Sequence, residues 1–152
     1  MKQPYIVGWG HTPFGKLDNM DFDQLIREAA LPAIASAGLE PSDIDAIFVG
    51  HFNAGFVQQD FSGALMSIAI PEFRHTPSVR MENACATGSA AIWAALDALA
   101  SGRIKRALVV GMEKMNTLPN KEIGDILLKA SYVKEEGHTE GGFAGVFGQI
   151  AS

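Results

Sequence analysis

Short, almost continuous apolar runs recur along the chain and predict buried strands. They cover residues 5–10 (YIVGWG), 44–50 (IDAIFVG) and 106–111 (RALVVG), while residues 78–82 alternate apolar and polar positions like a shorter strand. Strands that are apolar on both faces and separated by helices are typical of a parallel sheet covered on both sides. The pattern therefore predicts an α/β fold with a mostly parallel sheet.

Helical spacing of apolar residues fills the segments between these runs. From Asp21 onwards apolar side chains recur every three or four positions, Asp21 and Gln24 match a capping box, and Gly38 supplies a stop signal. Residues 60–70 form a second helical pattern. The segment after Cys85 is rich in alanine and apolar nearly all round, which predicts a central, tightly packed helix.

Composition and charge narrow the function classes. The 152 residues are 47% apolar, yet no apolar run has the length of a membrane span. The net charge is −5 without a basic cluster, so we expect no nucleic-acid or membrane partner. The N-terminus lacks a signal-peptide pattern, and the single cysteine and the spacing of the four histidines predict no disulfide and no metal site. A cytoplasmic location is the expectation.

The pattern changes in character after residue 116. Residues 117–140 are polar with mixed charges, and the segment that follows (GGFAGVFG) is rich in glycine and phenylalanine. The sequence then stops inside what looks like a new helix. We therefore expect one α/β domain over residues 1–116 and the truncated beginning of a second domain over residues 117–152.

Cys85 lies where a nucleophile is expected. It follows the predicted strand 78–82 and precedes the alanine-rich helix, so the sequence places its sulfur at a helix N-terminus. Unpaired N–H groups and the helix dipole stabilise a thiolate there, and the thiolate is the nucleophilic form. Gly88 keeps the start of this helix clear of side chains. The alternative is a buried, inert thiol packed among alanines.

Other candidates follow the predicted strands at the edge where parallel sheets gather their active-site loops. His51 and Asn53 follow the second strand, and His11 follows the first. The two histidines are more often hydrogen-bonding loop residues in such positions, and a glycine-bounded turn explains Asn53 equally well. Glu113 and Lys114, after the strand at 106–111, are interpreted as a solvated or interface ion pair.

The segment from Asn83 to Ser89 (NACATGS) resembles the nucleophile motif of thiolases, and most closely that of the sterol-carrier-protein type. Four further segments resemble the family in the right order: IVGWGHTPFGK at the first strand, AGL at the end of the first long helix, GMEKM after the strand at 106–111, and FAGVF in the loop domain. The similarity covers essentially the whole chain.

This resemblance implies a thiolase-like fold, of which the chain is the N-terminal half plus the start of the loop domain. It implies acyl transfer between an acyl-CoA or 3-ketoacyl-CoA and coenzyme A, with the coenzyme A thioester as substrate and no further cofactor. Cys85 would be the nucleophile that forms the acyl-enzyme, and its backbone N–H would serve an oxyanion hole. The family's polar loop would place Asn53 at the acyl pocket, with His51 and Gly88 as further substrate-binding candidates.

The family's remaining catalytic motifs, a histidine base and a second cysteine or histidine, belong to its second half and do not occur here. The chain alone is therefore predicted to be inactive, and its partners would be the missing C-terminal half or a complementary subunit, and a second copy in a homodimer. Two alternatives stay open. One is a condensing enzyme like ketosynthases or 3-hydroxy-3-methylglutaryl-CoA synthase, and the other is a non-catalytic dimerisation or acyl-binding module.

Overall fold

A computed structural model describes residues 3–152, and a three-stranded parallel sheet lies at its centre. The strands are β1 (Ala46–Gly50), β2 (Ser78–Met81) and β3 (Ala107–Gly111), in the order β2-β1-β3. Phe48 of β1 lies opposite Val79 on one side and Val109 on the other. All five residues of β1 are buried, as expected for a central strand covered on both faces. The predicted parallel α/β arrangement is confirmed.

Helices cover both faces of this sheet. Ala91, Ala95 and Ala98 pack against Ala46 and Phe48 on one face, and their small side chains let the helix lie close to the sheet. Two other helices, the first and second in the chain, pack on each other and on the opposite face. The α-helices are α1 (Phe22–Ser36), α2 (Ser62–Ala69), α3 (Thr87–Ala100), α4 (Asn120–Leu127), α5 (Val133–Glu136) and α6 (Gly142–Ala151). Turns of 3-10 helix span Pro41–Asp43, Pro71–His75, Ala84–Ala86 and Leu128–Ala130.

The ends of α1 follow their sequence signals. Asp21 is the N-cap and its backbone N–H donates to Gln24 Oε1 at 2.9 Å, which completes the predicted capping box. At the other end Gly38 adopts a left-handed conformation (φ +68°). Its N–H donates to the Ala35 carbonyl and that of Leu39 to the Ile34 carbonyl, a Schellman pattern that satisfies the last carbonyls of the helix.

The predicted strand at residues 5–10 is wrong. This segment forms no strand and pairs with no strand of the described sheet, and its large side chains face solvent, with Ile6 89% and Trp9 70% exposed. Its glycines lie against α1 instead: a Cβ on Gly8 would stand 2.2 Å from the Ala33 carbonyl oxygen. The Trp9 N–H donates to Ser36 Oγ at 3.0 Å. Close backbone contact with a helix has therefore replaced strand pairing.

Contacts among the described residues define two compact units. The first contains the sheet and α1 to α3, over residues 3–52 and 61–113. The second comprises Asn53–Asp60 and Lys114–Ser152, in which α4 packs on α6 and Lys129 Nζ donates to the Ala54 carbonyl at 2.8 Å. The predicted boundary after residue 116 stays a prediction. None of the helices described here combines the length and apolar character needed to span a bilayer.

Asp45 fixes the approach to β3 and makes stability depend on pH. Its Oδ2 accepts hydrogen bonds from the backbone N–H groups of Lys105 (2.8 Å) and Arg106 (2.9 Å). The Lys105 hydrogen bond is the main cause that lowers the pKa of the Asp45 carboxyl, with the Arg106 N–H and guanidinium adding to it against a smaller effect of burial. The carboxylate therefore stabilises the fold above its unfolded pKa of about 4 and stops doing so as pH falls through the lower folded value.

We expect Asp45→Asn to lower the free energy of unfolding at neutral pH by at most about 1 kcal/mol, because the carboxylate is partly solvated. The deficit shrinks as pH falls below about 4, where the unfolded chain takes up the proton, and it disappears below the lower folded pKa, where the native carboxyl is protonated as well. Urea unfolding of both proteins across this range measures it. Asp97→Asn, on the exposed side of α3, is the matched control. A deficit that is the same at every pH would contradict the assigned role of the charge.

Candidate active site

Cys85 occupies a tight turn between a strand and a helix. The chain leaves β2 at Met81, passes through one turn of 3-10 helix at Ala84–Ala86 and enters α3 at Thr87. The thiol is exposed and is not buried among alanines, whereas its reactivity stays a prediction. The sequence therefore places its sole cysteine on the surface at the start of a 14-residue helix.

The residue before Cys85 is held in an uncommon conformation. Ala84 has φ +44°, in the left-handed region that costs a non-glycine residue about 1–2 kcal/mol. The neighbouring Glu82 supports this turn, because its Oε1 accepts the Ala84 N–H at 2.5 Å. Left-handed backbone at a non-glycine position persists only where surrounding contacts enforce it. The contacts around Ala84 therefore hold the turn in one conformation and fix the position of the next residue, Cys85.

Thr87 closes the turn from the helix side. Its Oγ1 accepts the Asn83 N–H at 2.9 Å and donates to the Ala84 carbonyl at 2.6 Å, and the residue is buried. One hydroxyl therefore bridges both sides of the left-handed residue. This double contact gives the Asn83 N–H a partner just before the helix and adds a second donor to the Ala84 carbonyl, which also accepts the Thr87 N–H.

The environment of Cys85 suits negative charge. The Ala84 and Ala86 N–H groups donate to Glu82 and to the Asn83 carbonyl, whereas no hydrogen bond among residues 3–152 engages the Cys85 N–H or its thiol. A free N–H at the positive end of a helix dipole attracts an anion. The arrangement can stabilise a thiolate or an oxyanion, and the described residues place no hydrogen-bonded base on the sulfur.

Two glycines give the turn its clearance. A Cβ on Gly50, at the end of β1, would lie 3.3 Å from Thr87 Cγ2, so this glycine lets the start of α3 approach the sheet. Gly88 has no atom within 4 Å of the position of a Cβ. The space beside Gly88 is therefore open, as the sequence-based argument for acyl access requires.

His51 lies behind the turn and not on its surface. Its N–H donates to the Met81 carbonyl at 3.2 Å, and its ring is buried with an edge contact to Phe22 at a centroid distance of 5.3 Å. His51 Nε2 lies 3.4 Å from Glu113 Oε1. With 1% exposure the ring offers no surface to a substrate in this conformation. Its predicted role in substrate binding stays a prediction.

Asn53 belongs to the second unit, where its side chain organises its own loop. Its Oδ1 accepts the Val57 N–H at 3.0 Å and its Nδ2 donates to the Gln59 carbonyl at 3.1 Å. Asn53 and Ala54 both have positive φ, so the loop depends on these bonds. The assignment of Asn53 to the acyl pocket stays a prediction.

The remaining polar candidates show no built catalytic arrangement. His11 is exposed on the N-terminal segment and stacks on Trp9 at 5.7 Å between ring centroids. Across residues 3–152 no three His, Cys, Asp or Glu side chains are grouped so as to hold a metal ion. Within the first unit, the polar side chains closest in sequence to Cys85 are those of Glu82 and Thr87, and both bind the backbone of the turn.

Three supporting residues escaped the sequence analysis. In the sequence Arg80 is one polar position of a short strand, Thr87 is one residue of the segment NACATGS, and Glu113 is predicted to be a solvated or interface charge. Glu113 Oε2 instead accepts the Phe52 N–H at 3.0 Å within the first unit. The one sequence signal at Arg80 is a charged side chain inside the predicted strand 78–82.

Comparison with known proteins gives consistent matches. The family model described as "Thiolase, N-terminal domain" matches residues 4–143. The chain is 40% identical over 116 residues to an acetyl-CoA acetyltransferase of Methanocaldococcus jannaschii, covering 76% of this chain and 29% of that protein. It is 37% identical over 116 residues to an acetyl-CoA acetyltransferase of Methanothermobacter thermautotrophicus, covering 76% of this chain and 30% of that protein.

A solved structure agrees with these sequence matches. The acetyl-CoA acetyltransferase from Syntrophomonas wolfei superposes with a TM-score of 0.58 at 25% identity, over 68% of this chain and 27% of that chain. The chain thus spans less than a third of the length of each of these relatives. The likeness is confined to one part of much longer polypeptides.

Proposed function

The chain belongs to the thiolase family, and from this premise we propose that it carries the nucleophile of a thiolase-type acyltransferase. In this proposal an acyl group passes between an acyl-CoA or 3-ketoacyl-CoA and coenzyme A, with Cys85 as its carrier. The observation that carries the proposal is the exposed Cys85 at the start of α3, behind a left-handed turn that Thr87 and Glu82 hold in place.

The proposed first step is attack of the Cys85 thiolate on the carbonyl carbon of an acyl-CoA. The sulfur–carbon bond to Cys85 forms and the bond to the coenzyme A sulfur breaks. The proton given up by the thiol ends on the departing sulfur, so the products are the acyl-enzyme and free coenzyme A. Negative charge develops on the carbonyl oxygen, and the unengaged Cys85 N–H supports the assignment of an oxyanion donor.

The substrate contacts in this proposal combine structure and family pattern. The open space beside Gly88 supports passage of the acyl group there. His51 and Asn53, both buried, are proposed to shape the surroundings of the acyl pocket. No cofactor beyond the coenzyme A thioester substrate is invoked.

The remaining machinery is proposed to come from further polypeptide, either a C-terminal portion or a complementary subunit. The relatives are more than three times longer than the matched segment, and the thiol has no hydrogen-bonded base among residues 3–152. Exposed apolar side chains on α3, Ile92 and Trp93, support burial against such a partner. A second copy of the assembly and a cytoplasmic location complete the proposal, and the chain by itself is inactive.

Mass spectrometry of the protein after incubation with acetyl-CoA tests this function. We expect an acetyl thioester on the peptide that contains Cys85, formed in the native assembly and lost when coenzyme A is added, because the transfer is reversible. Cys85→Ala gives the matched protein without the nucleophile. The test uses the native assembly, which includes the further polypeptide that supplies the remaining machinery. If this assembly forms no acetyl adduct, the acyltransferase assignment is wrong.

A further inference from the structure

The ends of the three strands in the first unit are tied together by side chains that the proposed mechanism does not use. Arg80 lies in β2, five residues before Cys85. Its Nε donates to the His51 carbonyl at 2.8 Å and its Nη2 donates to the Phe52 carbonyl at 2.6 Å. One guanidinium therefore hydrogen-bonds to two successive carbonyls just beyond the end of β1.

Glu113 grips the same two residues from the other side. It follows β3, and its Oε2 accepts the Phe52 N–H at 3.0 Å while its Oε1 faces the buried His51 ring at 3.4 Å. Neither ring nitrogen of His51 has a hydrogen bond among the described residues. The contact of Oε1 with Nε2 therefore joins the buried ring to the same carboxylate that accepts the Phe52 N–H.

We call the contacts of Arg80 and Glu113 with His51 and Phe52 the clamp. Only a short stretch of chain separates the clamp from Cys85. The His51 N–H extends the pairing with β2 by donating to the Met81 carbonyl at 3.2 Å, and the Met112 N–H donates to the Gly50 carbonyl at 3.0 Å. Three residues lie between Met81 and Cys85, and one of them is the left-handed Ala84. Such a turn keeps its shape only while both of its flanks are fixed. Thr87 fixes the helix flank, and the clamp fixes the strand flank.

We propose that Arg80 and Glu113 are positioning residues for Cys85, which act by holding His51 and Phe52 at the strand ends and so fix the turn that presents the sulfur to the helix N-terminus. This inference rests on the proposed function, since it assigns these residues a part in making Cys85 reactive. Neither residue is assigned a contact with the substrate.

The decisive variants change the clamp while sparing the turn. Arg80→Lys keeps the positive charge but loses the planar group that donates to two carbonyls at once. Glu113→Ala removes the acceptor of the Phe52 N–H, and Glu113→Gln restores an oxygen at that position. Arg103→Lys and Glu72→Gln, both at exposed positions of the same unit, are the matched controls.

The measurement is the rate of alkylation of Cys85 by iodoacetamide as a function of pH, made on the native assembly with the urea-unfolded chain as reference. Circular dichroism and urea unfolding establish that each variant is folded. We expect wild type to react faster than the unfolded chain at about pH 6, because the turn holds the sulfur at the N-terminal end of α3. Arg80→Lys and Glu113→Ala slow this reaction by about tenfold, the lower end for loss of an orienting partner, and Glu113→Gln recovers most of the rate.

The outcomes separate the two proposals. If folded Arg80→Lys and Glu113→Ala retain the wild-type pH profile, the positioning role is wrong while the proposed function stands. If wild type itself reacts no faster than the unfolded chain and forms no acetyl adduct, both fail. Should Glu113→Ala not fold, Arg80→Lys decides alone, because lysine preserves charge and most of the side-chain volume. A variant that is slowed by the same factor at every pH, so that its pH profile of alkylation keeps the wild-type shape, also counts against the positioning role.

Discussion

Cys85→Ser lowers the rate of acyl transfer by at least about 10³-fold when the assembly that contains the rest of the catalytic machinery is assayed with acetyl-CoA. A serine hydroxyl at this position stays protonated at neutral pH. The N-terminus of a helix stabilises a thiolate, but a hydroxyl is too weak an acid for the same effect to ionise it. The turn itself is expected to survive, because the side chain of Cys85 makes no hydrogen bond among the described residues.

A steady-state assay of coenzyme A release, run beside mass spectrometry of the Cys85 peptide, measures this loss. Ser42→Ala, at an exposed position in the turn Pro41–Asp43, is the control for a single small substitution and keeps the wild-type rate. If Cys85→Ser retained a tenth or more of the wild-type rate, the covalent role of Cys85 would have to be abandoned. An unchanged free energy of unfolding excludes misfolding as the cause.

Local signals explain why most of the first unit was predictable. The capping box at Asp21 and Gln24 and the left-handed Gly38 are each contained within a few residues, so periodicity and capping rules defined α1 closely. The strands at 46–50 and 107–111 are short apolar runs, and the parallel pairing follows from the helices between them. These features depend little on what the rest of the chain does.

The N-terminal segment shows where such signals end. Residues 5–10 have the composition of a buried strand, yet a strand needs an edge to pair with, and composition does not name the edge. Gly8 and Gly10, interpreted as the end of a strand, instead allow the backbone to lie against Ala33 and Ala29 of α1. Hydrophobicity alone does not distinguish a paired strand from an extended segment packed on a helix.

The candidate site likewise has one part that the sequence predicts and one part that it does not. Cys85 was predictable because strand, turn and helix are consecutive in the sequence. The clamp was not, because the Phe52 N–H and the Glu113 carboxylate are 61 positions apart and meet only once β1 and β3 are paired. The sequence thus places the candidate nucleophile in its turn, whereas the residues that hold the neighbouring strand ends became apparent only from tertiary contacts.

Thr87→Val is expected to lower the free energy of unfolding by about 1–3 kcal/mol, the cost of leaving the Asn83 N–H without its partner and of removing one bond to the Ala84 carbonyl. Valine has nearly the shape of threonine, so packing against Gly50 is kept while the Asn83 N–H loses Oγ1 and the Ala84 carbonyl keeps only the backbone N–H of residue 87. Ala84 then has less to hold its left-handed conformation, and the start of α3 loosens beside Cys85.

Thr87→Ser is the matched control, because it keeps the hydroxyl and removes only the methyl group, at an expected cost below about 1 kcal/mol. Urea unfolding of the three proteins gives the free energies, and the alkylation rate of Cys85 in the folded state reports the turn. Valine should slow alkylation and serine should not. Equal destabilisation by serine and valine would mean that the methyl contact, and not the hydroxyl bridge, holds the turn; the support of Cys85 would then rest on Glu82 and the Arg80–Glu113 clamp alone.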